Sequence, residues 1–269
     1  MLFLIVGLFK IIKCNYMKVS IAIPAYIKSS EQIIFIKQAF DSILRQTFID
    51  YEVVLSDHSL VNDIEELCEQ YSDKLKIVYL KNFYGRGIPT KNANYVMKYC
   101  HGEYIKILHC DDFFVDNQAL DKIVSAMDSS GKEWLVNGFN HTYDAVNFFN
   151  YKIPEYPDHL LVGNNLIGAP TNVTVRNDCK IDFDVNITMG IDHEWYHQLR
   201  MKYGMPYIIK DTLTTSRLRD DRVSQIASSQ YDIVIEGDGS SWQFISSELE
   251  YLQKKHSDFF SNWKYPDDN

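Results

Sequence analysis

The stretch "EYIKILHCDDFFVDN", Glu103 to Asn117, runs through apolar, β-prone residues from Tyr104 to His109, broken only by Lys106, and then sets two carboxylates side by side at Asp111 and Asp112. A run of this length and composition reads as a buried strand. Working back from it, "IPTKNANYVMKYC" is a helix with Pro89 in its first turn, "LKIVYL" a strand, and "VNDIEELCEQYSD" a short helix. Before these come the strand "YEVVLS", Tyr51 to Ser56, and a helix from Glu31 to Gln46. In that helix Ile33, Ile36, Phe40, Ile43 and Leu44 recur at spacings of three and four, with Ser30 placed to cap it. The first strand is "KVSIAIP", Lys18 to Pro24, and Pro24 ends it. Working forward, "NQALDKIVSAMD" is a helix and "EWLVNGF" a fifth strand.

Strand and helix alternating over short connections predict an α/β fold, a Rossmann-like and mainly parallel sheet covered by helices on both faces. Ligands of such sheets bind outside the carboxyl ends of the strands. Asp57, Asp111 and Asp112 each follow a strand's carboxyl end, so they can line one crevice although they are far apart in the chain. After Asn140 the alternation fades into an aromatic-rich segment to Tyr156, a helix from about Asp192 to Tyr203, and a polar stretch "RLRDDRVS".

With 46% hydrophobic and 14% aromatic residues, the 269-residue chain has ample material for a core. Its net charge of −9 argues against a nucleic-acid partner. The five cysteines are scattered without a CxxC pair and are expected to be reduced. Residues 1–16, "MLFLIVGLFKIIKCNY", are apolar, but Lys10 and Lys13 interrupt them well before the ~20 residues a membrane span needs. Met17 then precedes "KVSIAIPAY", which leaves translation from Met17, the favoured reading, or a weak interfacial anchor in the longer form. The expected location is the cytoplasm, with membrane contact peripheral at most.

Adjacent carboxylates repel, and they persist where solvent, a hydrogen-bonding ligand or a cation absorbs the charge. For a lone Asp-Asp pair a solvated turn is the commoner case. Behind a buried central strand, the pair also suits Mg²⁺ or Mn²⁺, which take one or two carboxylates and leave the remaining positions to water and phosphate oxygens. Zinc fits poorly. His109, Cys110 and Asp111 are consecutive, so they alternate between opposite faces of an extended chain, and no second Cys or His cluster completes a tetrahedron.

Four segments together resemble the family 2 glycosyltransferases: "VSIAIPAY", "QAFDSILRQTFIDYEVVLSDHS", "NFYGRGIPTKNANYVMKYCHGEYIKILHCDDFF" and "MGIDHEWYHQLRMKYG", in that order, within Val19 to Ser224. The resemblance implies a GT-A fold and transfer of a sugar from a nucleotide-diphosphate donor, by default a uridine donor, to a glycan, lipid-linked or protein-linked acceptor, usually with inversion. The expected division is a GT-A domain over 17–230 and a helical tail over 231–269 packed on it. Carried over by position, Pro24, Ala25 and Tyr26 border the nucleotide, Asp57 holds the base, and Lys91 and Asn92 stand near the nucleotide where the family usually has Arg-Asn. His109 takes the first place of the family's Asp-x-Asp motif and Asp111 the last, the metal position. His109 or Asp112 would then make the ribose contact.

Asp192 matches the Asp of the family's Glu-Asp motif and would be the general base, while Ile191 replaces the Glu. Taken alone, Asp192 at a helix start reads as a cap or dipole partner, and Glu194 as a solvated neighbour. Asp192 and Trp195 are three apart and share a helical face, which makes Trp195, with Glu194, the expected sugar or acceptor platform. Arg217 and Arg219 match a mobile loop that closes over the diphosphate; the bland reading is a solvated loop whose arginines pair with Asp220 and Asp221. Two rivals stand beside this reading. A nucleotidyltransferase would show a Gly-rich phosphate loop, which "IPAYIKSSEQ" lacks, and a sugar-nucleotide-binding module of weak activity would account for His109 and Ile191.

Overall fold

The computed structural model describes residues 17–158, 160–161, 165–219 and 246–262. The regular part follows the alternation. Strand β1 (Val19–Ala25) leads through a 3-10 turn, Ser30–Gln32, into α1 (Ile33–Leu44), followed by β2 (Tyr51–Asp57), α2 (Asp63–Tyr71), β3 (Ile77–Lys81), α3 (Pro89–Lys98) and β4 (Tyr104–Ile107). Ser30 does not cap α1: it lies within the 3-10 turn, and no side-chain cap bond forms at either start. These four strands are mutually parallel in the order β3-β2-β1-β4.

Successive β1 residues point to opposite sides of the sheet, so two cores form. Val19, Ile21 and Ile23 pack with Ile36, Phe40 and Ile43 of α1 and with the buried faces of α2 and of α4 (Ala119–Ser130). On the other side Ala22 and Val54 meet Val96 and Met97 of α3, and Trp195, Tyr196 and Leu199 of α5 (Ile191–Tyr203). Each fully buried Ile or Phe contributes about 1.5–3 kcal/mol.

Beyond β4 the sheet becomes mixed. The fifth predicted strand is present as β6 (Trp134–Thr142), yet it does not pair with β4. Strand β8 (Val173–Arg176) lies between them, antiparallel to both, so β6 still runs in the direction of β4. The two-residue β5 (Phe113–Phe114), the hairpin strand β7 (Phe148–Lys152) and the long β9 (Tyr207–Arg217) complete this half. Gly138 of β6 is required where β9 crosses closely: a Cβ there would sit 2.7 Å from the carbonyl oxygens of Lys210 and Asp211. Helices α6 (Ser246–Lys255) and α7 (Ser257–Asn262) follow near the C-terminus.

From β1 the chain order runs one way to β2 and β3 and the other way to β4, which makes the ends of β1 and β4 a topological switch point. The crevice outside those ends is where the site is built.

Candidate active site

The turn after β4 carries the opening pair of carboxylates into different surroundings. Asp112 is buried, and its oxygens accept from the Thr171 hydroxyl and from the backbone N–H of Arg217 at 2.9 Å. Burial, with the charge of Asp111 beside it, pushes the Asp112 carboxyl well above its ordinary range. Thr171 also accepts from the backbone N–H of His109 at 3.1 Å, so one hydroxyl ties both ends of the turn. Below it Lys106, fully buried, donates to Asn137 Oδ1 at 2.8 Å and to the Thr171 carbonyl at 2.6 Å. Burial lowers Lys106 to about 7, against the pull of Asp112. Asp111, by contrast, reaches the surface, and its carboxylate meets Arg219 Nη1 at 3.3 Å.

Arg217 is buried and tethered on every side. Its Nε donates to the Asp111 carbonyl at 3.2 Å, Nη1 to the Tyr143 carbonyl at 3.3 Å, and Nη2 to Gln38 Oε1, while its plane lies 4.7 Å from the Phe35 ring centroid. The expected diphosphate role of Arg217 is therefore corrected: its guanidinium clamps the turn to β6 and α1. Arg219, at 4.6 Å from the same ring, remains at the surface beside Asp111. Asp220, Asp221 and the rest of the polar loop lie outside the described residues.

Three nucleotide-side expectations change in the same way. The Asp57 carboxylate is fully buried and accepts from Ser59 N at 2.7 Å and from Tyr79 Oη and Lys81 Nζ at 2.9 Å each, so protein donors take the place foreseen for a base. Asn92 is buried and donates to the carbonyls of Ala25 at 3.0 Å and Ser56 at 3.2 Å, closing the ends of β1 and β2. Asp112 faces Thr171 and Arg217 rather than the crevice. Ala25 is buried between Pro24 and Tyr26, the latter 44% exposed, and Lys91 Nζ lies 5.4 Å from the Tyr84 ring centroid.

Asp192 sits in the first turn of α5. Burial raises its carboxyl from 3.8 to about 6, with His109 opposing the rise electrostatically. Asp192 is thus within electrostatic reach of His109, in the turn after β4. Its two neighbours do not join it. Trp195 is fully buried, stacked on Phe183 at 4.3 Å, with Nε1 donating to the Ile181 carbonyl, so it offers no ring face to a sugar. Glu194 is fully buried too, and accepts from Gln198 at 2.7 Å, Lys255 Nζ at 2.6 Å and His256 Nε2 at 3.1 Å. Burial would raise its pKa, but the bonds from His256 and Lys255 outweigh it and hold Glu194 low. It anchors α6 and is neither platform nor solvated neighbour.

The glycosyl transferase family 2 model matches residues 20–196, from β1 into α5. The chain belongs to that family. Among relatives, it is 26% identical over 213 residues to the E. coli glucosyltransferase WfgD, named for UDP-Glc and α-D-GlcNAc-diphosphoundecaprenol, covering 77% of this chain and 72% of WfgD. It is 24% identical to the minor teichoic acid biosynthesis protein GgaB of Bacillus subtilis, covering 73% of this chain and 23% of GgaB. It is 26% identical to Staphylococcus aureus TarS, covering 51% of this chain and 26% of TarS. The chain thus spans about a quarter of GgaB and TarS. A crystal structure of TarS 1-349 with UDP-GlcNAc superposes with a TM-score of 0.65 at 16% identity, covering 93% of this chain and 68% of that one. The mannosyltransferase PcManGT of Pyrobaculum calidifontis, in complex with GDP-Man and Mn²⁺, gives 0.54 at 13% identity, covering 76% and 58%. At these identities the structural likeness speaks for the GT-A fold.

For this family 2 chain, several site-forming residues had no sequence signal. Thr171 lies in "GAPTNVTV", where neither periodicity nor charge marks it. Glu248 of α6 accepts from the backbone N–H of Thr188 at 2.6 Å and Met189 at 3.2 Å, just before α5 begins, and so fixes the approach to Asp192. Lys106 did stand out, as the one charge in an apolar strand.

Proposed function

We propose that the chain transfers a sugar from a nucleoside-diphosphate sugar, a uridine donor by default, to a hydroxyl of a glycan, lipid-linked or protein-linked acceptor, with inversion. The observation that carries this is the turn after β4 at the switch point, which sets Asp111 at the surface beside Arg219 and brings His109 within electrostatic reach of Asp192. A carboxylate titrating near 6 is ionised at neutral pH and still basic enough to accept a proton from an attacking hydroxyl, the balance a general base needs. Asp112, Thr171 and Lys106 hold the turn that presents Asp111, and Arg219 stands where phosphate oxygens could take its guanidinium. WfgD, named for a UDP-glucose donor and a lipid-linked acceptor, and TarS, crystallised with UDP-GlcNAc, support the uridine default and a glycoconjugate acceptor.

The donor set bears on the cation. Among the described residues no group of three or more His, Cys, Asp or Glu could hold a metal ion. An all-protein cage is therefore not what these residues offer, whereas Asp111, with 23% of its side chain exposed, fits a hard ion that takes one carboxylate and fills its other positions with phosphate and water. Mn²⁺ or Mg²⁺ bound there would neutralise charge on the departing diphosphate. PcManGT, solved in complex with GDP-Man and Mn²⁺, supports this choice. Among the described residues no helix is long and apolar enough to cross a membrane. We place the working protein in the cytoplasm, peripheral to the membrane when its acceptor is lipid-linked, with residues 17–230 as the catalytic unit and the helices at 246–262 packed on it through Glu248, Lys255 and His256; residues 1–16, 231–245 and 263–269 lie outside the described residues.

The test is a panel of nucleotide sugars with Mn²⁺ and Mg²⁺, read by thermal stabilisation and by release of nucleoside diphosphate. Stabilisation by one donor with slow hydrolysis is expected. Stabilisation without release would favour a binding module, condensation of a nucleoside triphosphate with a sugar phosphate would favour a nucleotidyltransferase, and no response to any donor would sink all three.

A further inference from the structure

The β6–β7 hairpin sets aromatic rings on the rim of the same crevice. Tyr143 is 66% exposed, Tyr151 65% and Phe149 36%. The rings of Tyr143 and Phe149 are stacked, centroids 5.2 Å apart and planes 22° from parallel. They are held from behind, with the nearly buried His141 ring 6.2 Å from Phe149 and Phe148 turned inward onto Phe113. The joining loop is equally built: Asp144 Oδ1 accepts from the backbone N–H groups of Val146 and Asn147, and Thr142 Oγ1 from that of Ala145. Tyr143, Asp144, Asn147 and Phe149 enclose a shallow recess of about 220 Å³.

Its position is set by the sheet. Because β6 runs in the direction of β4, the end of β6 at Thr142 opens on the same side as the Asp111 turn. Arg217 joins the two directly, donating to the carbonyls of Tyr143 at 3.3 Å and Asp111 at 3.2 Å. An exposed apolar ring face matches the C–H face of a pyranose, while the Asp144 carboxylate and the Asn147 amide, joined to each other at 2.8 Å, brace the loop that carries it. An anionic lipid surface would call for cations, whereas this recess carries Asp144. A stable protein interface would need a far larger buried area than four residues supply.

We propose that Tyr143 and Phe149 form a stacking platform for a pyranose unit of the acceptor glycan. The proposal rests on the glycosyltransferase reading above and adds the acceptor end of the crevice. The test is saturation-transfer NMR on the full chain with a panel of methyl glycosides: glucoside, galactoside and N-acetylglucosaminide, each as both anomers. At least one should receive saturation at its axial ring protons. Tyr143→Ala and Phe149→Ala should each weaken that binding by roughly 3- to 10-fold, the loss expected for removing one aromatic contact. Tyr143→Phe keeps the ring face and should retain the signal, which separates loss of the platform from loss of fold. Ile49→Ser, at a residue 84% exposed and remote from the crevice, should also retain it.

No transfer to any glycoside, or equal transfer in wild type and both alanine variants, overturns the proposal. So does co-sedimentation with phosphatidylglycerol vesicles that depends on Tyr143 while glycoside signals do not. Donor hydrolysis by the wild type is scored separately. Hydrolysis without Tyr143-dependent glycoside binding defeats the platform alone, and Tyr143-dependent binding without hydrolysis defeats the enzymatic reading alone.

Discussion

Asp192 gains its properties from burial and from His109, so each makes a distinct prediction. Turnover should rise with pH through about 6 as Asp192 loses its proton, and Asp192→Asn should lower kcat by ~10²–10⁴-fold with little change in donor affinity. His109→Gln removes the charge that pulls Asp192 down, so the acidic limb of the pH–rate profile should move to higher pH; an unmoved limb would separate the two residues. Stability follows with a definite sign. The folded pKa lies above the ordinary 3.8, so the stability linked to Asp192 is full below about pH 4 and is lost as pH rises through about 6. Asp192→Asn should therefore raise the melting temperature at pH 7.5, by at most about 3 kcal/mol in free energy, and not at pH 4. Calorimetry at the two pH values checks this. Asp111 stood out as a candidate because a carboxylate pair after a buried strand is conspicuous, whereas Asp192, which alone reads as a helix cap, became a candidate only through the family resemblance. Trp195 misled because a spacing of three shows that two residues share a face and not which part of that face is covered, here by Phe183. Asp57 and Asn92 misled because their partners, Tyr79, Lys81 and two backbone carbonyls, come from other strands.

At the scale of elements, α5 is held at its beginning by α6. Glu248 receives the N–H groups of Thr188 and Met189, and hydrogen bonds to a charged group contribute about 1.5–3 kcal/mol each. Glu248→Ala should lower stability by about that amount in urea titration and reduce kcat more than donor affinity, because it loosens the segment leading to Asp192. Equal loss of both kinetic parameters would mean that the contact acts only on the fold. Strands β1 to β4 were readable because they are short, nearly all apolar and separated by periodic helices. Strand β9 was not: "YIIKDTLTTSR" does not alternate cleanly, and Thr214 and Thr215 are buried by cross-strand partners that sequence spacing cannot reveal. Strand β5 has only two residues, and β8 inserts between β4 and β6 from seventy residues away. These elements exist through non-local pairing, which leaves little local trace.

For the molecule as a whole, the C-terminal helices complete a charge balance. Glu194 is fully buried and relies on Lys255 and His256. A chain ending at residue 245 would leave that carboxylate without the Lys255 ammonium and the His256 imidazole, and removing one partner of a buried pair costs about 3–5 kcal/mol. The shortened chain should show a denaturation midpoint lower by that equivalent, recovered in part by Glu194→Gln. The Asp111–Arg219 pair extends the same logic to the order in which ligands assemble. While the guanidinium occupies the carboxylate, an incoming divalent ion must evict one positive charge to install another, an exchange with little to gain. A nucleoside diphosphate changes the trade by offering the guanidinium a new anion at the moment the ion takes the old one. Mn²⁺ alone should then barely move the melting temperature, Mn²⁺ with a nucleoside diphosphate should raise it by more than the two separate shifts together, and Arg219→Ala should let Mn²⁺ act by itself. Cation and nucleotide would enter as a package, with the arginine holding the place until both arrive.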